Sequence, residues 1–340
     1  MRTADFDYAL PPEFIAQRPA KPRDSSRLLV LDRRTGERAH HLFRELPGFL
    51  NPGDVLAINQ TKVIPARLRA RKVPTGGRVE LLLLKRLEPQ IWEVLVGGRV
   101  LKPGRKLALA DGLQAEITQD LGGARRKVRF QAPISPRLAA LGEMPLPPYI
   151  HTPLQHAEEY QTVFAQIPAS SAAPTAGLHF TPTLLTSIEQ RGVHVVKLTL
   201  HIGLDTFAPV AEEDPASHPI HSEWCQLAPK QAEVLNASAS AGGRVVAVGT
   251  STVRTLETAA RAASPGKRVA PVSGPTDLYI LPGFDFRAVD AMVTNFHLPR
   301  STLLMLVSAF AGRERILETY QEAMRQGYRF YSFGDAMLIL

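Results

Sequence analysis

A central segment, residues 64–150, restricts the fold more than any other feature, because its pattern differs from that of both flanks. It contains short alternating apolar and polar runs, separated by glycine-containing turns. Short strands at this spacing, with little helix between them, are typical of a small antiparallel β-barrel. The runs lie at 79–84, 92–96, 106–109, 114–118 and 127–130.

On both sides of this segment, strand-like and helical patterns alternate. Strands are predicted at 27–31, 54–59, 193–200, 244–248, 278–281 and 288–293. Helices are predicted at 182–191, 229–241, 251–263, 302–311 and 316–326. This alternation indicates a mostly parallel sheet. We therefore predict an α/β core domain formed by residues 1–63 and 151–340, interrupted by an inserted antiparallel β-barrel domain at 64–150.

The lone cysteine and the lack of long apolar runs limit the class of protein. Cys225 cannot form an internal disulfide or a cysteine-based zinc cluster, so a reducing, cytoplasmic location is expected. It follows Trp224 in an apolar run, which favours packing in the core over a reactive thiol. No run approaches the ~18 apolar residues of a membrane span, and no signal-peptide pattern begins the chain.

The net charge of +8 suits an anionic partner such as a nucleic acid. Alternation along one strand would place Arg67, Arg69 and Arg71 on the same face. We interpret this face, together with Lys62, as a candidate RNA-binding surface. A solvated strand face with no partner is the alternative.

Residues 293–305 combine a buried strand with a polar end and a helix start. The apolar run 288–293 leads into Thr294, Asn295, His297 and Arg300, and a helical pattern follows Ser301. Ser301 or Thr302 can cap that helix. Polar groups between the carboxyl end of a strand and a helix N-terminus are well placed to hold a ligand, although an ordinary polar loop has the same spacing.

Two further loops have the same character. Residues 170–181 are almost all small, with one histidine, and Gly177 permits a positive φ or a close backbone approach. Thr181 and Pro182 then begin a helix. The turn 249–254 follows a predicted strand, but it lacks the P-loop lysine and the dinucleotide glycine pattern, so no ATP or NAD site is indicated.

Several of the ten histidines follow predicted strands. Histidine titrates near neutral pH and suits proton transfer, so at least one is expected to act in catalysis. A structural, hydrogen-bonded imidazole is the alternative for each. No pair has the i, i+4 spacing of a helical metal motif, and we expect no metal.

Several of these segments together resemble one family, the S-adenosylmethionine:tRNA ribosyltransferase-isomerases of queuosine biosynthesis. The resemblance covers essentially the whole chain, in the right order. It is carried by Asn59-Gln-Thr-Lys-Val-Ile-Pro-Ala-Arg-Leu68, Ala172-Ala-Pro-Thr-Ala-Gly-Leu-His-Phe-Thr181, His221-Ser-Glu223, Thr294-Asn-Phe-His-Leu-Pro-Arg-Ser-Thr-Leu-Leu-Met305 and Gly334-Asp-Ala-Met-Leu-Ile339.

The resemblance implies a reaction on tRNA. The ribosyl moiety of S-adenosylmethionine would be transferred to the 7-aminomethyl-7-deazaguanine wobble base and isomerised, giving epoxyqueuosine-tRNA, adenine and methionine. It implies S-adenosylmethionine as co-substrate, no metal, the tRNA anticodon stem-loop as partner and the same α/β and barrel architecture. We expect a monomer.

Residue roles follow from the demands of this chemistry. A base must remove a proton beside the sulfonium, and an acid helps adenine to leave. The catalytic candidates are His179, His297 and His221, with no direction of transfer assigned. The cofactor-binding candidates are Thr175, Gly177, Thr294, Asn295, Glu223, Arg254 and Arg300. Either arginine could meet the methionine carboxylate, and Glu223 could face the cation or hold a histidine tautomer.

Three positions depart from the family pattern. Asp205 stands where glycine is usual, Ala208 where arginine is usual and Pro275 where an aromatic residue is usual. Asp205 is therefore a poor catalytic candidate.

Two rival functions remain. One is a non-catalytic RNA-binding protein, which would not need the polar residues at the strand ends. The other is a methyltransferase, but the glycine-rich loop that is usual near the N-terminus of that class is missing from this sequence.

Overall fold

The computed structural model describes residues 1–97, 101–203 and 209–340. Its strands, labelled in chain order, are β1 (Arg27–Leu31), β2 (Arg38–Leu42), β3 (Val55–Asn59), β4 (Thr61–Val63), β5 (Arg67–Lys72), β6 (Arg78–Glu88), β7 (Ile91–Gly97), β8 (Lys106–Leu109), β9 (Gln114–Asp120), β10 (Arg125–Phe130), β11 (Gly142–Glu143), β12 (Ile167–Ser170), β13 (His194–Leu200), β14 (Glu223–Leu227), β15 (Val245–Val248), β16 (Val272–Thr276), β17 (Ala291–Asn295) and β18 (Ala336–Ile339). Its α-helices are α1 (Leu138–Leu141), α2 (Pro182–Gln190), α3 (Pro229–Ser240), α4 (Thr250–Arg261), α5 (Thr302–Ala311) and α6 (Arg313–Arg325).

The chain divides into two compact units. The first comprises Met1–Thr61, Pro148–Ile167 and Ala173–Leu340, and the second comprises Lys62–Pro147 and Pro168–Ala172. The assignment of residues 168–172 to the second unit was not indicated by the sequence pattern. Whether either unit folds as an independent domain, with boundaries near 63 and 151, stays a prediction.

The first unit is built on a mixed sheet in the order β16-β14-β13-β3-β15-β17-β18-β1-β2. Its centre is parallel, because β13, β3, β15 and β17 run in the same direction. Antiparallel pairs flank this centre at β13–β14 and β17–β18. The predicted α/β fold class is confirmed, with the parallel strands at the centre of the sheet.

Both faces of the sheet are buried, which explains the continuous apolar runs of its central strands. In β3, Val55 and Ala57 pack on one face, with helices α3 to α6. Leu56 and Ile58 pack on the other, with α2 and the 3-10 helix Phe43–Phe49. This alternation follows from the two-residue period of a strand and gives three layers, helix–sheet–helix.

The second unit is a closed antiparallel barrel, as predicted. Its strands follow the order β5-β6-β7-β10-β9-β8, and β8 pairs again with β5 to close the ring. Alternate side chains fill the interior, among them Leu68, Leu81 and Val94. In β5, Arg69 and Arg71 alternate with the buried residues Leu68 and Ala70, so they point outwards and are exposed.

The sequence correctly placed the starts of α2, α3 and α5, but it placed the start of α6 three residues late and misassigned one strand. The side chain of Thr181 accepts from Leu184 N–H, and that of Ser301 accepts from Leu304 N–H, so both are N-caps. The sequence predicted a strand at 278–281, but these residues form none. The nearest strand, β16, ends just before them, at Thr276. Their apolar character serves packing instead, because Leu278 and Ile280 are buried against the core. None of the helices described is long and apolar enough to cross a membrane.

Candidate active site

A cavity opens where β13, β15 and β17 end at their carboxyl edges. Its empty space, including the part open to solvent, is about 920 Å³. Crevices at this edge are the usual ligand sites of α/β sheets. The lining residues are Ala173, Pro174, Thr175, Ala176, Ile202, His218, Ile220, His221, Glu223, Gly249, Thr250, Ser251, Arg254, Leu278, Tyr279, Ile280, Thr294, Asn295, His297, Thr302, Leu303 and Leu306.

His297 is the histidine that the end of β17 brings to the cavity wall. Thr294 and Asn295 belong to the strand, and all three residues are buried. The Thr294 hydroxyl lies 2.8 Å from Nε2 of His297. Nδ1 has no protein partner within the described residues. Burial lowers the pKa of His297 to about 3, so its ring is neutral at neutral pH. This neutral ring can accept a proton.

His179 lies behind the cavity and does not line it. Its Nδ1 is 2.8 Å from the Ser26 hydroxyl, and its Nε2 is 3.1 Å from the Asn295 amide nitrogen. The ring stacks on Phe43, with centroids 4.9 Å apart. Burial lowers its pKa to about 4. Both nitrogens are therefore engaged by the protein, which does not suit the predicted role in proton transfer.

Arg254 and Glu223 form an ion pair in the cavity wall. Arg254 Nη1 donates to Glu223 Oε2 at 2.7 Å, and the Gly203 N–H donates to Oε1 at 2.9 Å. The other guanidinium nitrogens of Arg254 donate to the carbonyls of Leu278, His221 and Thr276. Arg254 thus joins three segments of the wall, and most of its donors are unavailable to a substrate carboxylate.

Two predicted ligand residues lie elsewhere. Gly177 packs against Phe164 and Thr162, and a Cβ there would lie 2.6 Å and 2.9 Å from their side-chain atoms, so close packing and not a positive φ requires glycine. Arg300 does have a positive φ of 55°, but its side chain is half exposed and pairs with Asp7. The structure brings neither residue to the cavity.

Other lining groups were not singled out in the sequence. Thr250, Ser251 and Tyr279 line the cavity, and Gly249 makes the turn from β15 into α4 with φ +87°. The hydroxyls of the turn 249–254 are the sequence signal that could have identified it as part of the cavity wall. Tyr279 gave no such signal, because residues 278–281 look like a buried strand.

The segments around Ser26 and Asn59 make hydrogen bonds to neighbouring loops and strand ends. Asp24 accepts a hydrogen bond from the Thr181 hydroxyl at 2.9 Å. The amide of Asn59 bonds the backbone of Leu200 and Thr61. These contacts fix the loops that carry the cavity wall.

The candidate RNA-binding residues lie in the barrel unit. The guanidinium of Arg69 is largely exposed and bonds Glu143 at 2.7 Å. Arg67 lies 3.8 Å from Glu80, and Arg71 bonds the carbonyl of Gly76. Lys62 is exposed on β4. The predicted outward row of three arginines on β5 is present, with carboxylates beside two of them.

Of the three departures from the family pattern, one can be located. Pro275 is exposed on β16, the edge strand of the sheet, where proline is tolerated, and it does not line the cavity. Asp205 and Ala208 lie outside the described residues. Across residues 1–97, 101–203 and 209–340, no cluster of three or more His, Cys, Asp or Glu side chains is placed to hold a metal ion.

Comparison with known proteins identifies the family. A family model described as queuosine biosynthesis protein matches residues 3–339. The chain belongs to this queuosine biosynthesis family. It is 52% identical, over the full length of both chains, to an S-adenosylmethionine:tRNA ribosyltransferase-isomerase of Symbiobacterium thermophilum. A protein of the same name from Desulfitobacterium hafniense is 50% identical, also over the full length of both chains.

A solved structure of the family agrees with this assignment. The crystal structure of S-adenosylmethionine tRNA ribosyltransferase from Thermotoga maritima is 42% identical, with a TM-score of 0.58. The match covers 99% of this chain and 100% of the Thermotoga chain. The resemblance noted in the sequence is thereby confirmed at the level of the queuosine biosynthesis family.

Proposed function

We propose that this chain transfers and isomerises the ribosyl moiety of S-adenosylmethionine onto the 7-aminomethyl-7-deazaguanine base of tRNA. The products would be epoxyqueuosine-tRNA, adenine and methionine. The observation that carries the proposal is the full-length identity of about one half to proteins named for this activity. The cavity at the strand ends supports it with a lining of mixed apolar and polar residues.

The lining suits a sulfonium nucleoside. Aliphatic side chains of Ile202, Leu278 and Leu306 offer contact to an adenine ring, and Tyr279 is the one aromatic among the described lining residues. An aromatic face attracts a cation. The carboxylate of Glu223 lies in the same wall, where its charge is balanced by Arg254. S-adenosylmethionine enters as a substrate, and no resident metal or cofactor is part of the proposal.

His297 is our candidate for the proton carrier. A neutral imidazole can take the proton from the carbon beside the sulfonium, which that positive charge acidifies. Because burial depresses its pKa, the ring is a weak base, and the resulting imidazolium is a strong acid that can pass the same proton to a ring nitrogen of adenine as the glycosidic bond breaks. His221 also lines the cavity and is the second candidate. His179 keeps only a supporting role.

The experiment is a product analysis. Purified protein is incubated with S-adenosylmethionine and tRNA that carries the aminomethyl-deazaguanine base, and small molecules and nucleosides are measured by mass spectrometry. Adenine, methionine and epoxyqueuosine are expected in equal amounts. Formation of S-adenosylhomocysteine would indicate a methyltransferase, and tRNA binding without products would indicate a non-catalytic RNA-binding protein.

For the RNA, we propose that the anticodon stem-loop lies along the outward arginines of β5. Changing Arg67, Arg69 and Arg71 to glutamate is expected to weaken tRNA binding. The plot of the logarithm of the binding constant against the logarithm of salt concentration should become less steep by roughly 2 to 3, since each phosphate contact contributes about 0.7–0.9. Filter binding at several salt concentrations measures both quantities.

A control variant with the same change in net charge tests whether the location matters. Arg191, Lys230 and Lys267 are exposed and belong to the other unit, and their replacement by glutamate should leave the slope nearly unchanged. Equal slopes for both triple variants would exclude this face as the RNA contact.

We also propose that the protein acts as a monomer in the cytoplasm, and analytical sedimentation tests the monomeric state.

A further inference from the structure

A line of four hydrogen-bonded side chains runs from behind the cavity to its wall. The Ser26 hydroxyl contacts Nδ1 of His179 at 2.8 Å, and the Asn295 amide nitrogen contacts Nε2 of His179 at 3.1 Å. At the cavity end, the Thr175 hydroxyl lies 3.2 Å from Oδ1 of Asn295. Thr175 is the only residue between 171 and 180 that is not fully buried, and it lines the cavity.

One backbone carbonyl fixes the orientation of the amide in this line. Nδ2 of Asn295 also lies 3.2 Å from the carbonyl oxygen of Tyr331. A carbonyl can only accept, so the nitrogen and not the oxygen of Asn295 must lie on that side. The same nitrogen faces His179, whose Nε2 must therefore accept. The proton of the neutral ring is then on Nδ1, and it is donated to Ser26.

The polarity of Thr175 follows from that of Asn295. With its nitrogen directed at Tyr331 and His179, Asn295 presents its oxygen to Thr175. The Thr175 hydroxyl must donate its only hydrogen to that oxygen, so just its lone pairs remain for a ligand. The burial of His179 keeps the ring neutral, with a pKa of about 4, and prevents an Nε2–H from opposing the amide at neutral pH.

We propose that Thr175 is a specificity-determining residue whose hydroxyl oxygen accepts a hydrogen bond from an N–H group of the substrate, and that His179 is a positioning residue that fixes this polarity. The inference rests on the proposed function, which supplies S-adenosylmethionine as the ligand. That molecule has two N–H groups of the required kind, the 6-amino group of adenine and the ammonium of its methionine part.

Calorimetric binding of S-adenosylmethionine and two analogues tests the role of Thr175. S-inosylmethionine replaces the 6-amino group with a carbonyl oxygen, and the deaminated analogue replaces the ammonium with hydrogen. The wild-type protein is expected to bind one analogue about 10- to 100-fold more weakly than S-adenosylmethionine, because an unmatched buried polar group is costly. The affected analogue identifies the group.

Two variants then show whether the hydroxyl causes this preference. Thr175→Val, which keeps the shape and removes the hydroxyl, should lose the preference, and Thr175→Ser should retain it. A Thr175→Val protein that keeps the wild-type preference for S-adenosylmethionine over the affected analogue would overturn the proposal, as would an equal loss for all three ligands. If the wild type fails to bind S-adenosylmethionine at all, the proposed function itself fails.

The positioning role of His179 has a separate readout. Gln in place of His179 keeps an acceptor near the position of Nε2 but cannot carry a proton. His179→Gln is expected to keep kcat within about tenfold of wild type with an unchanged pH profile, whereas loss of an acid or base costs about 10²- to 10⁴-fold. A loss of that size, or a missing limb in the pH profile, would overturn the role.

If His179→Gln does not fold, Ser26→Ala provides a milder test, because it leaves the ring in place and removes the acceptor for Nδ1–H. It should weaken the analogue preference without altering the pH profile. An unaltered preference, or a shifted profile, would contradict the positioning role.

Discussion

Replacement of His297 by alanine is expected to lower kcat by about 10²- to 10⁴-fold, the usual contribution of a positioned acid or base. The ring lies in the cavity wall, Thr294 engages Nε2, and Nδ1 lacks a protein partner within the described residues. Because the pKa of the ring is lowered to about 3, it should cause no inflection in kcat between about pH 6 and pH 8. Adenine release under saturating substrates measures kcat.

The matched control is His194→Ala, since His194 is exposed at the start of β13 and does not line the cavity. It should leave kcat unchanged. Binding of S-adenosylmethionine to the His297 variant, measured by calorimetry, separates loss of chemistry from loss of the site. If His297→Ala keeps more than about a tenth of the wild-type kcat, the proton carrier is another group, and His221 becomes the next to test.

Glu257→Leu is expected to lower the free energy of unfolding by about 3 kcal/mol or more. Glu257 lies in α4 and is 1% exposed. Its Oε1 accepts from the N–H groups of Ala288 and Val289, at 3.0 and 3.1 Å, and Oε2 accepts from that of Arg287 at 3.0 Å. Leucine would leave the two buried N–H groups without partners. Urea unfolding measures the change.

The control and the pH dependence test the same residue. Glu233→Leu, at an exposed position of α3, should change the free energy by less than about 0.5 kcal/mol. Burial raises the pKa of Glu257 above its ordinary value of 4.5, so the native state holds the proton more firmly than the unfolded chain. The advantage of the wild type over Glu257→Gln should therefore shrink as the pH rises from 4.5 through the raised value. An advantage that grows over this range would contradict the sign.

The sequence predicted the elements that depend on local pattern and missed contacts between distant residues. The alternation of β5 and the cap at Ser301 are properties of a few neighbouring residues, and both were correct. Residues 278–281 misled because an apolar run in a cavity wall looks like one in a strand.

The candidate site shows the same division. The strand-end loops were located correctly, so Thr175, Thr294 and His297 do meet at one cavity. Their partners could not be predicted. Arg300 pairs with Asp7, which is far away in the sequence. Whether a histidine is engaged at both nitrogens, as His179 is, depends on Ser26 and Asn295, which only the fold brings to it.

The position of β18 within the sheet has a consequence for folding kinetics. This strand lies between β17 and β1, with Leu28 beside Ala336 in register. The hairpin of β1 and β2 therefore joins the sheet through residues synthesised long after it, which is a contact of very high sequence separation. Such contacts slow folding, since a large loop must close before they form. During synthesis on the ribosome, the β1–β2 hairpin cannot pair with its neighbour in the sheet until β18 has been made.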